Sequence, residues 1–156
     1  MKYIAYASNM IQEQMSLRCP DARLIGVSYL LGHRLEFYQR ATVERSQING
    51  ARVPVAVWEI SIEDEQRLDR YEGFPRFFIK EEHTVRMGDG SEITGMLYLM
   101  KYMRKGPPAE SYYMGIANAY SQLGLSSEIE KMLEPALKRA LKRGISGYHF
   151  EDAPSP

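Results

Sequence analysis

The sequence has only one cysteine, Cys19, among 156 residues. A single cysteine excludes a disulfide framework and any metal site built from several thiolates. No apolar run approaches the roughly 20 residues of a membrane-spanning helix, and the first residues are too polar for a signal peptide. Charge of one sign is not in excess, because 20 Lys and Arg balance 20 Asp and Glu. We therefore expect a cytoplasmic protein that binds neither membranes nor nucleic acid.

Sequence patterns of several common catalytic sites are also absent. There is no glycine-rich phosphate loop and no nucleophile elbow. The three histidines, His33, His83 and His149, lack the spacing of metal ligands. Cys19 precedes Pro20 and has no neighbour that would activate it, so we expect a buried or inert thiol. The sequence thus predicts a site without a metal or a cofactor.

The length suits one domain with a buried core. We expect this domain over residues 1–144 and a loose C-terminal tail over 145–156. The predicted order of elements neither alternates strands with helices nor separates them, which favours an α+β fold with a mostly antiparallel, barrel-like sheet. The predicted strands are 2–6, 24–31, 34–38, 53–61, 77–87 and 92–100, the predicted helices are 10–18, 62–71, 109–123 and a last one to 143, and 41–52 is predicted to be a loop.

The first candidate site is the segment 6–10, where the first strand ends and a helix is predicted to begin. Backbone N–H groups at such a turn have no partners inside the helix, so they can bind an anion or a developing oxyanion. The simpler alternative is that Ser8 and Asn9 only cap the helix, with Gln12 in the capping-box position. Both interpretations stay open on these residues alone.

The second candidate is Glu72, which is predicted to end a helix directly before Gly73. The negative end of the helix dipole and the apolar residues that follow both disfavour a charged carboxylate, so the pKa of Glu72 should be raised. Such a carboxyl group can take up and release a proton near neutral pH. The alternative is a solvated surface glutamate, of which the chain has many.

Two further patterns favour structural roles. The basic pairs at 138–139 and 142–143 form one face of the last predicted helix, which we expect to be solvated rather than to bind nucleic acid. Pro135 is expected to kink or break that helix. A helical stripe that is typical of a core face contains Tyr112, Ile116, Ala119, Tyr120 and Leu123.

Taken together, the two candidate segments resemble the γ-glutamylcyclotransferase-like (AIG2-like) family. Its members begin with a strand and a Tyr-Gly-Ser-Asn-Leu loop, which is similar to Tyr6-Ala7-Ser8-Asn9-Met10 here. They carry a Leu-Asp-x-x-Glu-Gly stretch, which is similar to Leu68-Asp69-Arg70-Tyr71-Glu72-Gly73. Two separated motifs in this order are more specific than either alone. Further family-like features, extending to Leu125, are Tyr98, Pro107-Pro108, Tyr112 and Gly124-Leu125.

The resemblance implies a small mixed, mostly antiparallel β-barrel with flanking helices, and a pocket where the loop meets Glu72. It also implies the chemistry: 5-oxoproline is released from a γ-glutamyl amine or dipeptide when the α-amine of the glutamyl group attacks its own γ-carbonyl. The nucleophile belongs to the substrate, so the protein needs to fold the substrate, hold an oxyanion and move a proton. No cofactor is implied.

The resemblance assigns roles residue by residue. Glu72 is the expected general acid and base, and the backbone of the loop is expected to hold the oxyanion. Asn9 or Ser8 is expected to hold the substrate carboxylate. Tyr98 and Tyr112 are expected to close the pocket. The expected substrate-binding residues are therefore Tyr6, Ala7, Ser8, Asn9, Met10, Tyr98 and Tyr112.

Two residues depart from the family pattern and keep other functions open. Ala7 replaces the loop glycine, which would cost about 1 kcal/mol or more if that position needed a positive φ. Phe78 stands where many members have tyrosine.

One alternative is therefore a non-catalytic module that binds a small molecule in the same pocket. Another is an interaction protein that uses the amphipathic segment 126–143. The leaving group and the oligomeric state stay open.

Overall fold

The computed structural model describes residues 1–144. The predicted tail over 145–156 lies outside the described residues, so the domain boundary stays a prediction. In the described part of the chain, no helix is both long and apolar enough to cross a membrane. The elements are β1 (Lys2–Ala5), a 3₁₀ turn (Ser8–Met10), α1 (Gln12–Arg18), β2 (Arg23–Leu31), β3 (His33–Tyr38), β4 (Arg40–Arg45), β5 (Arg52–Glu59), α2 (Ile62–Glu72), β6 (Phe78–Arg86), β7 (Glu92–Met100), α3 (Glu110–Gln122), a π turn (Ile129–Leu133) and α4 (Glu134–Gly144).

The main sheet has five strands in the order β2-β5-β1-β7-β6, and β3 pairs with β4 in a separate hairpin. All neighbouring strands are antiparallel except β1 and β7, which run parallel. The central strand β1 is apolar and buried, as expected for a strand with neighbours on both sides. The predicted α+β fold with a mostly antiparallel sheet and flanking helices is therefore confirmed.

The predicted β-barrel is not formed, because β2 and β6 remain the edges of the five-stranded sheet. These edges approach each other through a side chain: the Ser28 hydroxyl of β2 donates to the carbonyl of Arg86 in β6. The hairpin likewise meets the sheet through Thr42, whose Oγ1 accepts a hydrogen bond from the Met100 N–H at 3.1 Å. Side-chain bridges of this kind join the edges without the continuous backbone ladder that closure of a barrel requires.

Two local predictions were wrong. The predicted loop 41–52 contains most of β4, in which Thr42 and Val43 are buried although the segment as a whole is polar. Successive side chains of a strand point to opposite faces, so both faces of β4 are covered here: Val43 lies opposite Leu35 of β3, and Thr42 contacts Met100 of β7. The first helix begins at Gln12 rather than at position 10, and no side chain caps it, so the capping role suggested for Asn9 is not observed.

Helix α2 places Glu72 at its last position. The helix begins with a capping box, in which Ser61 Oγ accepts from the Asp64 N–H at 3.1 Å and the Asp64 carboxylate accepts from the Ser61 N–H at 3.2 Å. It ends at Gly73, whose φ is 70°, and a Cβ at that position would lie 2.6 Å from the Phe77 ring. Only glycine fits such a helix end, and the chain therefore turns directly after Glu72.

The basic face of α4 is not simply solvated, in contrast to the prediction. Glu36 of β3 is fully buried and forms ion pairs with Arg139 at 2.8 Å and with Arg143 at 3.0 Å. Arg34 completes the cluster at 2.7 Å. Pro135 lies directly after the π turn, whose flanking residues Glu128 and Glu134 are both helical, so the predicted kink or break takes the form of a π turn within one last helix. The last helix is thus fastened to the hairpin by buried charge.

Candidate active site

A polar pocket lies where the chain leaves β1 and meets the C-terminal end of α2. Its empty volume, including the open mouth, is about 310 Å³. Every residue of the predicted site except Met10 is in the pocket lining. Met10 is fully buried beneath it. The lining consists of Tyr3, Tyr6, Ala7, Ser8, Asn9, Arg40, Ala41, Glu72, Phe78, Tyr98 and Tyr112.

Glu72 is buried, with 8% of its surface exposed. Its Oε1 accepts a hydrogen bond from Asn9 Nδ2 at 3.3 Å, and its Oε2 lies 3.4 Å from a guanidinium nitrogen of Arg40. Both contacts are longer than the 2.7–2.9 Å of strong charge-assisted hydrogen bonds. Burial raises the pKa of Glu72, while Arg40, Arg18 and the Asn9 amide oppose that rise without cancelling it. The predicted direction of the shift is confirmed, with desolvation as its main cause.

The loop after β1 forms a 3₁₀ turn whose first two residues, Ser8 and Asn9, line the pocket. The first N–H groups of a helical turn have no acceptor inside it. The Met10 N–H donates to the Ala7 carbonyl at 2.9 Å, so it is not available to a ligand. The donors without an acceptor inside this turn are therefore the N–H groups of Ser8 and Asn9. Ala7 has a φ of −139°, so the position does not need the left-handed conformation that favours glycine.

The Asn9 side chain connects the two segments that the sequence analysis singled out. Its Nδ2 donates to Tyr3 Oη at 2.8 Å as well as to Glu72, and its Oδ1 accepts from Arg18. Its backbone carbonyl accepts from Trp58 Nε1 at 3.1 Å. Because each polar group of the amide has a partner, the orientation of the amide is fixed. Asn9 therefore orients the carboxyl group of Glu72.

Arg18 is a residue that the sequence analysis missed. It is the last residue of α1, and its guanidinium bridges Asn9 Oδ1 and the Tyr71 hydroxyl, the latter at 2.7 Å. The guanidinium carbon lies 3.6 Å above the centre of the Tyr71 ring. Arg18 thus ties the loop to the end of α2 without lining the pocket itself. Its place in sequence, next to Cys19, carries no signal of this role.

Arg40 was also missed, because it falls between a predicted strand and a predicted loop. It begins β4, and 30% of its side chain is exposed. Its guanidinium carbon lies 5.5 Å from the centre of the Phe78 ring and 5.3 Å from that of Tyr71. Arg40 and Glu72 are the only charged residues among those that line the pocket. No sequence spacing links them, since β4 and α2 meet only in the fold.

Tyrosines form much of the pocket wall and stay protonated. Burial raises the pKa of Tyr112 to about 12 and that of Tyr98 further above its ordinary value. Tyr112 Oη accepts a hydrogen bond from the Ala41 N–H at 3.1 Å, and Tyr98 Oη donates to Asp69 Oδ1 at 2.6 Å. These phenols therefore act as neutral, fixed walls at physiological pH, not as general bases.

The other candidate groups that the structure describes do not line this pocket, and His149 lies outside the described residues. Cys19 is fully buried and burial raises the pKa of its thiol to about 12, as expected for an inert thiol. The rings of His33 and His83 contact each other edge to face, with centres 5.1 Å apart. Over residues 1–144, no cluster of three or more His, Cys, Asp or Glu side chains could hold a metal ion.

Known proteins resemble this chain in sequence and in structure. A profile described as the AIG2-like family matches residues 52–133. A γ-glutamylcyclotransferase of Mus musculus is 30% identical over 155 residues, which cover 92% of this chain and 82% of that protein. The γ-glutamylcyclotransferase of Bos taurus is 30% identical over 144 residues, covering 84% of this chain and 76% of that protein. A solved γ-glutamyl cyclotransferase structure superposes with a TM-score of 0.77 at 28% identity and covers 86% of each chain.

These relatives match most of the chain. The family profile spans β5 to the π turn and therefore includes Glu72. The two mammalian proteins extend the similarity over most of the remaining chain. The chain belongs to the AIG2-like family and is a γ-glutamylcyclotransferase-like enzyme.

Proposed function

We propose that the protein releases 5-oxoproline from a γ-glutamyl amine or dipeptide. The observation that carries this proposal is the buried carboxyl group of Glu72, which shares one pocket with Ser8 and Asn9, whose backbone N–H groups have no acceptor inside the 3₁₀ turn. A proton-transfer group opposite an oxyanion site is what an intramolecular attack on an amide carbonyl requires. Small-molecule chemistry also agrees with the names of the relatives, which are γ-glutamylcyclotransferases.

The reaction proceeds within the substrate. The α-nitrogen forms a bond to the γ-carbon and gives a tetrahedral oxyanion. That bond already closes the five-membered ring, so when the bond between the γ-carbon and the leaving nitrogen then breaks, the carbonyl re-forms and 5-oxoproline is released. Glu72 takes the proton from the attacking amine and gives it to the leaving amine, so it ends in its starting state. Because the pKa of Glu72 is raised, its proton affinity is closer to that of the attacking and leaving amines.

The rest of the pocket orients the substrate and stabilises the oxyanion. The N–H groups of Ser8 and Asn9 donate to the oxyanion as it develops. The phenols of Tyr6, Tyr98 and Tyr112 hold the substrate in the folded conformation that brings the α-amine to the carbonyl. The Asn9 amide already binds three other side chains, so it supports Glu72 rather than the substrate carboxylate.

The proposal also includes the domain that carries the activity, its cellular location and its partners. We assign the activity to a single domain over residues 1–144 and to the cytoplasm. Its partner is the small-molecule γ-glutamyl substrate, and neither nucleic acid nor a membrane takes part in the reaction. No cofactor enters any step described above.

The test is a panel of γ-glutamyl dipeptides and amines, assayed for 5-oxoproline with the wild-type protein and with Glu72→Gln. The variant should fold and lose about 10²–10⁴-fold in kcat/KM, since proton transfer by a positioned side chain contributes that much. Glu82→Gln changes an exposed glutamate of β6 and serves as the matched control. Equal turnover by Glu72→Gln would remove Glu72 from the mechanism.

A different result would favour the binding-module alternative. In that case γ-glutamyl compounds would raise the Tm of the wild-type protein, but no member of the panel would give 5-oxoproline. Absence of both product and stabilisation would refute the pocket as a γ-glutamyl site.

A further inference from the structure

The ion pair between Arg40 and Glu72 has an unusual position for a structural contact. Both members line the pocket, and within residues 1–144 they are the only charged residues of the lining. The distance between the guanidinium nitrogen and Oε2 is 3.4 Å, so the two charges attract each other without a short, strong hydrogen bond between them. The pair is therefore available to exchange its mutual contact for contacts with a charged ligand.

A γ-glutamyl group carries two charged groups on one carbon atom, the α-ammonium and the α-carboxylate. The mechanism above requires the nitrogen to face Glu72. A carboxylate attached to the same carbon must then lie within a few ångströms of Glu72, where Arg40 is the nearest cation of the lining. The pair in the empty pocket thus has the complementary charge pattern of the α-amino-acid end of the substrate.

Resting on that proposed function, we propose that Arg40 is the specificity-determining residue that binds the α-carboxylate and thereby delivers the α-amine to Glu72. A guanidinium has five donors in a planar fork and binds a carboxylate through two parallel hydrogen bonds. Arg40 has a single contact to Glu72 through one terminal nitrogen. The rings of Phe78 and Tyr71 flank the guanidinium, which limits its movement while it exchanges partners.

Other groups of the pocket are less suited to bind this carboxylate. The Asn9 amide is bonded to Tyr3, Arg18 and Glu72. The Ser8 hydroxyl is neutral and lies 3.4 Å from Arg18. A neutral hydroxyl alone would leave a buried carboxylate without charge compensation, which is costly.

The experiment compares a γ-glutamyl dipeptide with its decarboxy analogue, the 4-aminobutanoyl amide of the same amino acid, which cyclises to 2-pyrrolidinone. Both are assayed with wild type, Arg40→Gln, Arg40→Lys and Arg86→Gln. Arg86 has 74% of its side chain exposed at the end of β6 and is the matched arginine control. Each variant is first checked for a wild-type Tm and circular dichroism spectrum, and Arg40→Lys supplies the measurement if Arg40→Gln does not fold.

We expect wild type and Arg86→Gln to prefer the dipeptide by about 10- to 100-fold in kcat/KM, the value of a hydrogen-bonded charge contact. Arg40→Gln should reduce this preference to a few-fold, mainly through a higher KM for the dipeptide, and Arg40→Lys should retain part of it. If Arg40 acted only through Glu72, Arg40→Gln would slow both substrates equally and shift both pH profiles. That result, or an unchanged preference, would overturn the proposal.

Binding of the two products separates this proposal from the proposed function. 5-Oxoproline and 2-pyrrolidinone differ only in the carboxylate. 5-Oxoproline should raise the Tm of wild type but not that of Arg40→Gln, and 2-pyrrolidinone should stabilise both equally. This pattern without turnover of any γ-glutamyl compound would refute the cyclotransferase activity and support Arg40 as the carboxylate site. Equal stabilisation of both proteins by 5-oxoproline would refute the role of Arg40.

Discussion

Asn9 Nδ2 donates to Glu72 Oε1 at 3.3 Å, although 63 positions separate the two residues in the chain. One of them belongs to the turn after β1 and the other ends α2. The same amide is held from its oxygen side by Arg18. Hydrogen bonds therefore connect Glu72 through Asn9 to Arg18, and Asn9 belongs to the turn that carries the backbone donors. Changes at Asn9 or Arg18 should alter the proton affinity of Glu72.

Replacement of Asn9 by alanine should move the acid limb of the pH–rate profile to higher pH. The Asn9 amide donates to the ionised carboxylate and lowers the pKa of Glu72, so its loss raises that pKa further. Activity then begins to fall at a higher pH on acidification. We expect kcat/KM at neutral pH to decrease about tenfold, which corresponds to one lost hydrogen bond. Asn118→Ala, at an exposed position of α3, is the control, and an acid limb that coincides with wild type would contradict the assignment.

Replacement of Arg18 by methionine should lower kcat more than it raises KM. Arg18 does not line the pocket, so it acts on the substrate through its partners Ser8, Asn9 and Tyr71. Loss of its positive charge also raises the pKa of Glu72 and shifts the acid limb in the same direction as the change at Asn9. Arg18→Lys should rescue the pH shift in part, because it restores the charge but not the stacking on Tyr71. The measurement is a set of pH–rate profiles, with the exposed Arg23→Met as control.

A rise in KM alone for Arg18→Met, with unchanged kcat and pH profile, would contradict this positioning role. It would indicate that Arg18 contacts the substrate directly. Loss of the fold would be visible in the Tm, and Tyr71→Phe, which removes only the hydroxyl that accepts from Arg18, then provides the second measurement.

The stability of the protein should depend on the ionisation of Glu72. Its pKa is higher in the folded than in the unfolded chain, so folding favours the protonated form. The stabilisation that this preference provides is complete below the unfolded pKa and is lost as the pH rises through the folded pKa. Glu72→Gln should therefore raise the Tm relative to wild type at pH 8, and the difference should shrink at pH 4. A difference that grows on acidification would contradict burial as the main cause of the shift.

The buried cluster around Glu36 should matter for stability rather than for catalysis. In the double variant Arg139→Met/Arg143→Met, Glu36 keeps only Arg34 as a partner inside a fully buried environment. Removal of partners from a buried ion pair costs about 3–5 kcal/mol, so the free energy of unfolding should fall by this amount in urea titrations. Lys138→Met/Lys142→Met alters the same helix without touching Glu36 and is the control. An unchanged free energy would contradict the anchoring role of α4.

The local order of elements could be predicted from the sequence to a large extent. The capping signal at Ser61 and the stop at Gly73 define α2, and both work through neighbouring backbone atoms. The hairpin of β6 and β7 follows from Gly88-Asp89-Gly90 for the same reason. β4 was missed because its burial depends on the partner strand β3 and not on its own polar composition.

The sequence by itself determined the two motifs, the position of Glu72 at a helix end and the direction of its pKa shift. These depend on residues close together in the chain and on a pattern shared with the family. Only the tertiary structure decided that Arg18 and Arg40 reach this site, that the sheet stays open and that α4 is anchored on Glu36. Each of these relationships joins residues whose distance in the chain carries no information on their distance in space. Side-chain charge and hydrogen bonds act through space, so such partners become visible only when the chain is folded.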